Sequence, residues 1–182
     1  ILPGHGASAR RLLQGALLRQ GVRLVEGMVK RIERDTALLE DGAALPSDAT
    51  LLITGATAAA WPAEAGLATD ERGFITVNRH LQSTSHPFVF AAGDVATFVD
   101  APRPKSGVYA VRAGPPLAAN LLATLDGRAL TTHRPQRRAL YLISTGPEHA
   151  VASWGSLALA GDWVWRWKDR IDRAYIAKFK RT

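Results

Sequence analysis

Leu12, Leu13, Ala16 and Leu17 recur at helical spacing near the start of the chain, with Ser8 as predicted N-cap and Gly21 as stop. Val22 to Val25 then reads as a strand. Met28 to Ile32, Thr36 to Leu39 and Ala43 to Leu45 are short runs separated by turns such as Asp41-Gly42, the pattern of an antiparallel meander. Leu51 to Thr54 reads as a buried strand, Trp61 to Gly66 as a helical turn, and Phe74 to Val77, after the Arg72-Gly73 turn, as another strand. The run Pro87 to Val95 is apolar and ends abruptly at Gly93-Asp94, as a buried parallel strand does. Pro102 and Pro104 predict extended chain, then a helix from near Ser106. Pro115 and Pro116 lack amide donors, so a break is predicted at Gly114, with a second helix to Thr124. Alternation from Arg138 to Leu159 predicts three short strands, and Gly161 to Lys180 one helix.

The end of the Pro87–Val95 run carries the candidate chemistry. In open α/β sheets ligands sit beyond the carboxyl ends of the strands. Gly93 leaves room for a ligand to approach the backbone, and Asp94 offers an acceptor-only group to hydroxyls. A strand closing in a plain Gly-Asp turn reads equally well from this run alone. A second candidate is Gly4-His5-Gly6-Ala7-Ser8-Ala9, which spells G-x-G-x-x-A at a helix start, with Glu26 at the distance of a ribose-binding acid. Only Ile1, Leu2 and Pro3 precede it, too little for the strand that such a fingerprint follows.

Taken in order, several segments resemble one family. Phe90-Ala91-Ala92-Gly93-Asp94-Val95 is similar to the second flavin-binding motif of the FAD-dependent pyridine nucleotide-disulfide oxidoreductases, in which the aspartate holds a ribityl hydroxyl. Leu51-Leu52-Ile53-Thr54-Gly55-Ala56 resembles the strand and glycine turn where that family passes from its NAD to its FAD domain. Thr54 and Gly55 would then line the nicotinamide passage. Lys105-Ser106-Gly107-Val108-Tyr109-Ala110-Val111-Arg112 resembles the helix that points its N-terminus at the flavin ring. Pro102 through Asn120, with Leu142 to Gly146, most resembles the type II NADH dehydrogenase-like flavoprotein module found fused to selenide, water dikinase (selenophosphate synthase).

The resemblance implies an α/β fold: part of a Rossmann-like FAD/NAD(P)-binding fold, with an antiparallel β-meander and a C-terminal small β plus helix region. It implies residues 1–57 as the second half of the NAD(P)-binding domain, 58–127 as the C-terminal part of the FAD-binding domain, and 128–182 as a basic β/α region. FAD and NAD(P)H are the implied cofactors, with both phosphate loops upstream of Ile1 and Gly4–Ala9 demoted to a loop. Gly93, Asp94 and Val95, with Lys105, Ser106, Gly107 and Val108, are the implied flavin contacts. A helix N-terminus carries free amides and about half a positive charge, which suits an anionic flavin edge. No catalytic side chain is assigned, because hydride chemistry belongs to the cofactors.

Composition narrows the acceptor. With 182 residues, 47% hydrophobic and 21% charged, the chain is ordinary for a globular protein, and no apolar run reaches transmembrane length. Ile1 at the start and a single methionine, Met28, suggest a piece of a longer polypeptide. There are no cysteines, which excludes a redox disulfide or a zinc-thiolate site in this chain. The expected acceptor is a quinone or another small molecule, and the rest of its own polypeptide is the expected partner. The histidines, His5, His80, His86, His133 and His149, show no metal-ligand spacing.

The net charge of +7 is uneven: 12 basic against 12 acidic residues up to Gly127, then 11 against 4. The last helix sets Trp163, Trp167, Ile171 and Tyr175 at helical spacing among Arg166, Lys168, Arg170 and Arg173, so membrane-interface contact is conceivable. Trp165 and Ile176 on the other face, Lys178 in the stripe, and Asp169 and Asp172 favour a packing helix or homodimer contact instead. A cytoplasmic protein with no nucleic-acid partner, membrane-associated at most peripherally, is the expectation. A noncatalytic docking or regulatory domain of the same fold, and a stand-alone NAD-binding module using Gly4 to Ala9, stay open as alternatives.

Overall fold

The computed structural model describes residues 2 and 4–179. Helix α1 (Ala7–Arg19) buries Ala9, Leu13 and Ala16. Its N-cap is Gly6, not Ser8, which lies inside the first turn and caps nothing. The predicted meander is present: β1 (Val29–Ile32), β2 (Thr36–Leu39) and β3 (Ala44–Pro46) pair antiparallel in sequence order. The register sets Val29 opposite Leu39 and Thr36 opposite Pro46. Short helix α2 (Trp61–Glu64) falls where the Trp61–Gly66 turn was expected.

Two predicted strands do not form ladders. Val22 to Val25 and Leu51 to Thr54 have no β partner among the described residues. Leu51, Leu52 and Ile53 are 82%, 67% and 84% exposed, so this apolar run is not buried either. Strand character needs a neighbour that accepts and donates backbone hydrogen bonds, and apolar composition supplies none. The Pro87–Val95 run is corrected in the same way. Phe90 makes only an isolated antiparallel bridge to Gln82, and Gly93–Val95 is a 3-10 turn. The parallel strand comes after the aspartate: β5 (Ala96–Phe98) pairs with β4 (Ile75–Val77), Ile75 opposite Ala96 and Val77 opposite Phe98. Around this pair Ile75, Val77, Ala91 and Ala96 form one core, joined by Leu67 and Phe98.

Helix α3 runs unbroken from Gly107 to Leu125, through Pro115 and Pro116. The break predicted at Gly114 is absent. The prolines cost the carbonyls of Val111 and Arg112 their helical donors. Both residues lie on the exposed side of the helix, where water can replace those bonds. Asn120, fully buried in α3, uses its whole amide: Nδ2 donates to the carbonyls of His80 (2.8 Å) and Thr131 (2.9 Å). Its Oδ1 accepts from the Thr131 amide (2.8 Å) and hydroxyl (2.9 Å), pinning the following segment to the helix.

The three strands expected from the Arg138–Leu159 alternation are β6 (Leu140–Ser144), β7 (Ala150–Trp154) and β8 (Leu157–Gly161), antiparallel in that order. Helix α4 (Asp162–Ala177) lies on them, and Lys180, the predicted end of that helix, falls outside the described residues. The packing face differs from the stripe read in the sequence. Val164, fully buried, and Trp165 meet Ala150, Ala152, Leu140 and Leu142. Trp163, Trp167, Ile171 and Tyr175 stay 38–45% exposed. Val164→Ala should therefore cost roughly 1.5–3 kcal/mol in urea unfolding. Ile176→Asp, at an exposed position near the end of α4, should stay within about 0.5 kcal/mol. Equal losses would contradict this orientation of α4.

Candidate functional site

The fingerprint Gly4–Ala9 is occupied by the protein itself. A Cβ on Gly6 would lie 2.9 Å from the Gly155 carbonyl oxygen and 3.1 Å from the Ser156 Cα. His5 Nδ1 bonds the buried Ser153 hydroxyl at 2.9 Å, and its ring meets Tyr141 edge-on at 4.7 Å. The start of α1 thus seats on the β7–β8 turn, and Gly6 serves that close approach rather than a phosphate.

The turn carrying Gly93 and Asp94 packs instead against the start of α3. Gly93 takes the left-handed φ of +75°, and a Cβ there would come within 3.4 Å of the Ala110 Cβ. Any side chain would strain the turn and push it off the helix. Gly93, Asp94, Lys105, Ser106, Tyr109 and Ala110 share the walls of a small cavity of about 30 Å³. Of the predicted contacts, the fold therefore brings Gly93 and Asp94 together with Lys105 and Ser106. Gly107 and Val108 open on the neighbouring groove. Val95 is 41% exposed beside the turn. Thr54 and Gly55 lie in the exposed segment before α2 and make no contact with this cavity.

Lys105 has an inward role that its sequence position conceals. Its ammonium donates to the Ala96 carbonyl (2.5 Å) and the Thr97 hydroxyl (2.9 Å), and lies 3.9 Å from the centre of the Phe74 ring. Thr97 in turn donates to Asp70 Oδ2 at 2.8 Å. Asp70 Oδ1 accepts the amides of Arg72 and Phe74, each at 3.0 Å. Desolvation lowers the Lys105 pKa, with the carboxylates of Asp70 and Asp94 opposing it. Partial burial pushes the Asp70 carboxyl up, but the bonds from Thr97, Phe74 and Arg72 and the charge of Lys105 bring it below its ordinary value. Sequence reasoning missed Asp70, Thr97 and Phe74. The turn Asp70-Glu71-Arg72-Gly73 was the available sign, since an aspartate commonly accepts amides just after it.

Around this network several groups are free to bind something else. Ser106 caps α3 through its backbone alone, its carbonyl accepting the Tyr109 and Ala110 amides. Its hydroxyl is buried without a partner. The first amides of the helix, on Gly107 and Val108, have no acceptor among the described residues, and nothing stands within 4 Å of where a Gly107 Cβ would be. Asp94 is exposed and forms no ion pair among the described residues. Donors at a helix start beside an acceptor-only carboxylate suit a cofactor with one electron-rich edge and a hydroxylated chain, as FAD has. The residues present fit that group. Tyr109, raised in pKa first by burial, keeps a neutral phenol at the cavity wall.

The sequence profile of the pyridine nucleotide-disulphide oxidoreductases matches residues 1–114. The chain belongs to that family. FAD and NAD(P)H are the family's cofactors, and this chain lacks the cysteines that the family name invokes. Ferroptosis suppressor protein 1 of Taeniopygia guttata is 28% identical over 156 residues, covering 79% of this chain and 41% of that protein. Sulfide:quinone oxidoreductase from the hyperthermophilic bacterium Aquifex aeolicus superposes with a TM-score of 0.73 at 19% identity, over 96% of this chain and 46% of that one. An FAD-dependent pyridine nucleotide-disulphide oxidoreductase from Desulfovibrio vulgaris gives a TM-score of 0.65 at 25% identity, covering 84% and 39%. The fold expected from the sequence is thus present, and the chain spans less than half the length of these relatives.

Because Asp70 is held below its ordinary pKa, its stabilisation is complete above the unfolded value of about 3.9 and is lost as the pH falls through the folded one. Asp70→Asn should be less stable than the parent at neutral pH, and the gap should narrow once the pH drops below that range. Urea unfolding at both pH values checks this. A gap that stays constant would show that Asp70 contributes nothing through its charge.

Proposed function

We propose that this chain supplies the flavin-facing part of an FAD-dependent NAD(P)H oxidoreductase whose acceptor is a quinone or a similarly apolar non-disulfide molecule. The observation that carries the acceptor is a groove of about 390 Å³ that opens beside the free amides of Gly107 and Val108. Val111 of α3, Leu140 and Leu142 of β6, and Ile171 and Tyr175 of α4 make most of its wall apolar, with Arg112 and the Lys168–Asp172 ion pair as its charged groups. An apolar cleft with few polar groups suits a flat lipophilic ring. Absence of cysteine from the chain favours a non-disulfide acceptor, and one of its structural relatives is a sulfide:quinone oxidoreductase.

FAD, when bound, would take hydride from NAD(P)H and pass the electrons on. In this reading the chain's own groups bind and polarise. Asp94 accepts a hydroxyl of the cofactor, and the Gly107 and Val108 amides donate to its electron-rich edge. The Ser106 hydroxyl completes that set of donors. The Lys105 ammonium, held on β5, adds positive potential behind the turn without touching the cofactor. We further read the chain as part of a longer polypeptide, of the kind in which such a module is fused to selenide, water dikinase. The resemblance from Pro102 through Asn120 and the exposed apolar runs at Val22–Val25 and Leu51–Ile53 support this reading.

Ile171→Glu places a carboxylate in the groove. In the flavin-loaded protein that contains this chain, it should raise KM for a short-chain quinone several-fold and leave reduction of ferricyanide unchanged. Equal quinone kinetics in parent and variant would remove the groove from the acceptor's path.

A second reading concerns the open face of α4. Trp163 and Trp167 stack in parallel there, 6.5 Å apart, and Trp167 shares an apolar hollow with Trp154, Leu157 and Leu159, each of these three at least half exposed. Peripheral contact with a membrane interface fits this face better than the packing role expected for it. Arg166, Lys168 and Arg173 are already paired with Asp162, Asp172 and Asp169, which leaves little attraction for anionic lipid. Binding would rest on the tryptophans. Flotation with neutral phosphatidylcholine vesicles should recover the parent and lose Trp163→Ser. No flotation of the parent would end this reading.

A further inference from the structure

A cavity with a volume near 670 Å³ shares Phe98 and Arg103 with the small cavity at the Asp94 turn but is otherwise lined by different residues. Its walls hold Arg79, Arg103, Arg134 and Arg137, against the single carboxylate of Asp100. Arg79, Arg134 and Arg137 form no ion pair and no side-chain hydrogen bond among the described residues. These three exposed guanidinium groups, set against one carboxylate, leave the hollow with a net positive charge.

The hollow is also built rather than floppy. Its far wall, the segment from Thr131 to Arg137, is fixed at both ends. At one end Asn120 clamps Thr131 with three of its four amide hydrogen bonds, the fourth going to the His80 carbonyl. The His80 ring adds a bond to the Thr131 carbonyl at 3.0 Å. At the other end the Arg103 guanidinium donates to the carbonyls of Gln136 (2.9 Å), Pro135 (3.3 Å) and Pro102 (2.9 Å). In the middle, the His133 amide bonds the Arg79 carbonyl at 2.7 Å, and its ring lies tilted on Phe98 at 5.5 Å. Arg103 is thereby the brace of the wall, and the other arginines are its free donors.

We propose that this cavity is a binding site for an organic phosphate, a mono- or diphosphate ester of a small hydroxylated molecule. Arginine forks match phosphate oxygens bidentately, and a phosphate monoester near neutral pH carries about the double charge that the excess of guanidinium requires. Burial lowers the His133 pKa, so its ring stays neutral and offers one donor and one acceptor to the organic part. Asp100 accepts from a hydroxyl of the same part. The cavity volume falls in the range of about 300–1,000 Å³ typical of small-molecule sites. The charge excess after Gly127 thus has a local use: Arg134 and Arg137 belong to it.

Isothermal titration of the full 182-residue chain with inorganic pyrophosphate and with ribose 5-phosphate, at constant ionic strength, tests this. Both should bind one to one, and sodium sulfate at matched ionic strength should compete only weakly. Arg134→Ala with Arg137→Ala should weaken binding by about tenfold or more, since two charge-assisted bonds are removed. Arg134→Lys should weaken it less than Arg134→Ala but not restore it, because charge survives and the fork does not. Arg170→Ala on α4 is the control and should change nothing. An unchanged melting curve for each variant ensures that the loss is local. Binding that follows ionic strength alone, identical affinity in the double variant, or uptake of a hexaglutamate peptide with no phosphate binding would each overturn the proposal.

Discussion

The Lys105 ammonium, seated on the Ala96 carbonyl, the Thr97 hydroxyl and the Phe74 ring, holds the candidate cofactor site together. It ties the residue before the N-cap of α3 to the first residues of β5. The loop between them must then fold back, and Gly93-Asp94 is delivered against the first turn of the helix. Asp70 steadies the far side by gathering Thr97 and two backbone amides. A partly buried ammonium is costly unless each proton finds an acceptor or an aromatic face, and this one is nearly fully served. The site's free donors and free carboxylate can exist side by side because a different cation and a different carboxylate take the structural work.

From that tie the rest follows in layers. The free amides at the start of α3 lie next to the Asp94 turn, while Gly107, Val108 and Val111 face β6 and α4 across the apolar groove. The antiparallel sheet β6–β8 supplies the groove's floor, and α1 closes the other side of that sheet by seating Gly6 on the β7–β8 turn. The apparent phosphate fingerprint is consumed by this packing. A glycine pair followed by a helix has the same sequence whether its backbone approaches a ligand or another loop, so only the neighbour decides.

Much of this was legible in the residues. The Gly93-Asp94 turn, the helix start at Ser106, the meander and the three C-terminal strands all follow from local pattern and turn chemistry, and they stand where expected. What failed was of two physical kinds. Val22–Val25, Leu51–Thr54 and Pro87–Val95 look like strands, yet a ladder depends on a neighbour that composition cannot reveal. Side-chain direction was the second. Lys105, expected as a flavin contact, turns inward onto Ala96, Thr97 and Phe74, and α4 packs through Val164 and Trp165, leaving the tryptophan stripe open. Pro115 and Pro116 add a milder case, because exposed carbonyls tolerate the loss of donors that a buried helix would not.

The central claim is that the Asp94 turn and the start of α3 form one flavin cradle. A crystal structure of the flavin-loaded protein containing this chain tests it most directly. The account predicts an Asp94 carboxylate oxygen at hydrogen-bond distance, about 2.5–3.0 Å, from a ribityl hydroxyl, and the Gly107 and Val108 amides directed at the ring edge. A flavin bound elsewhere, with Asp94 facing solvent, would contradict it.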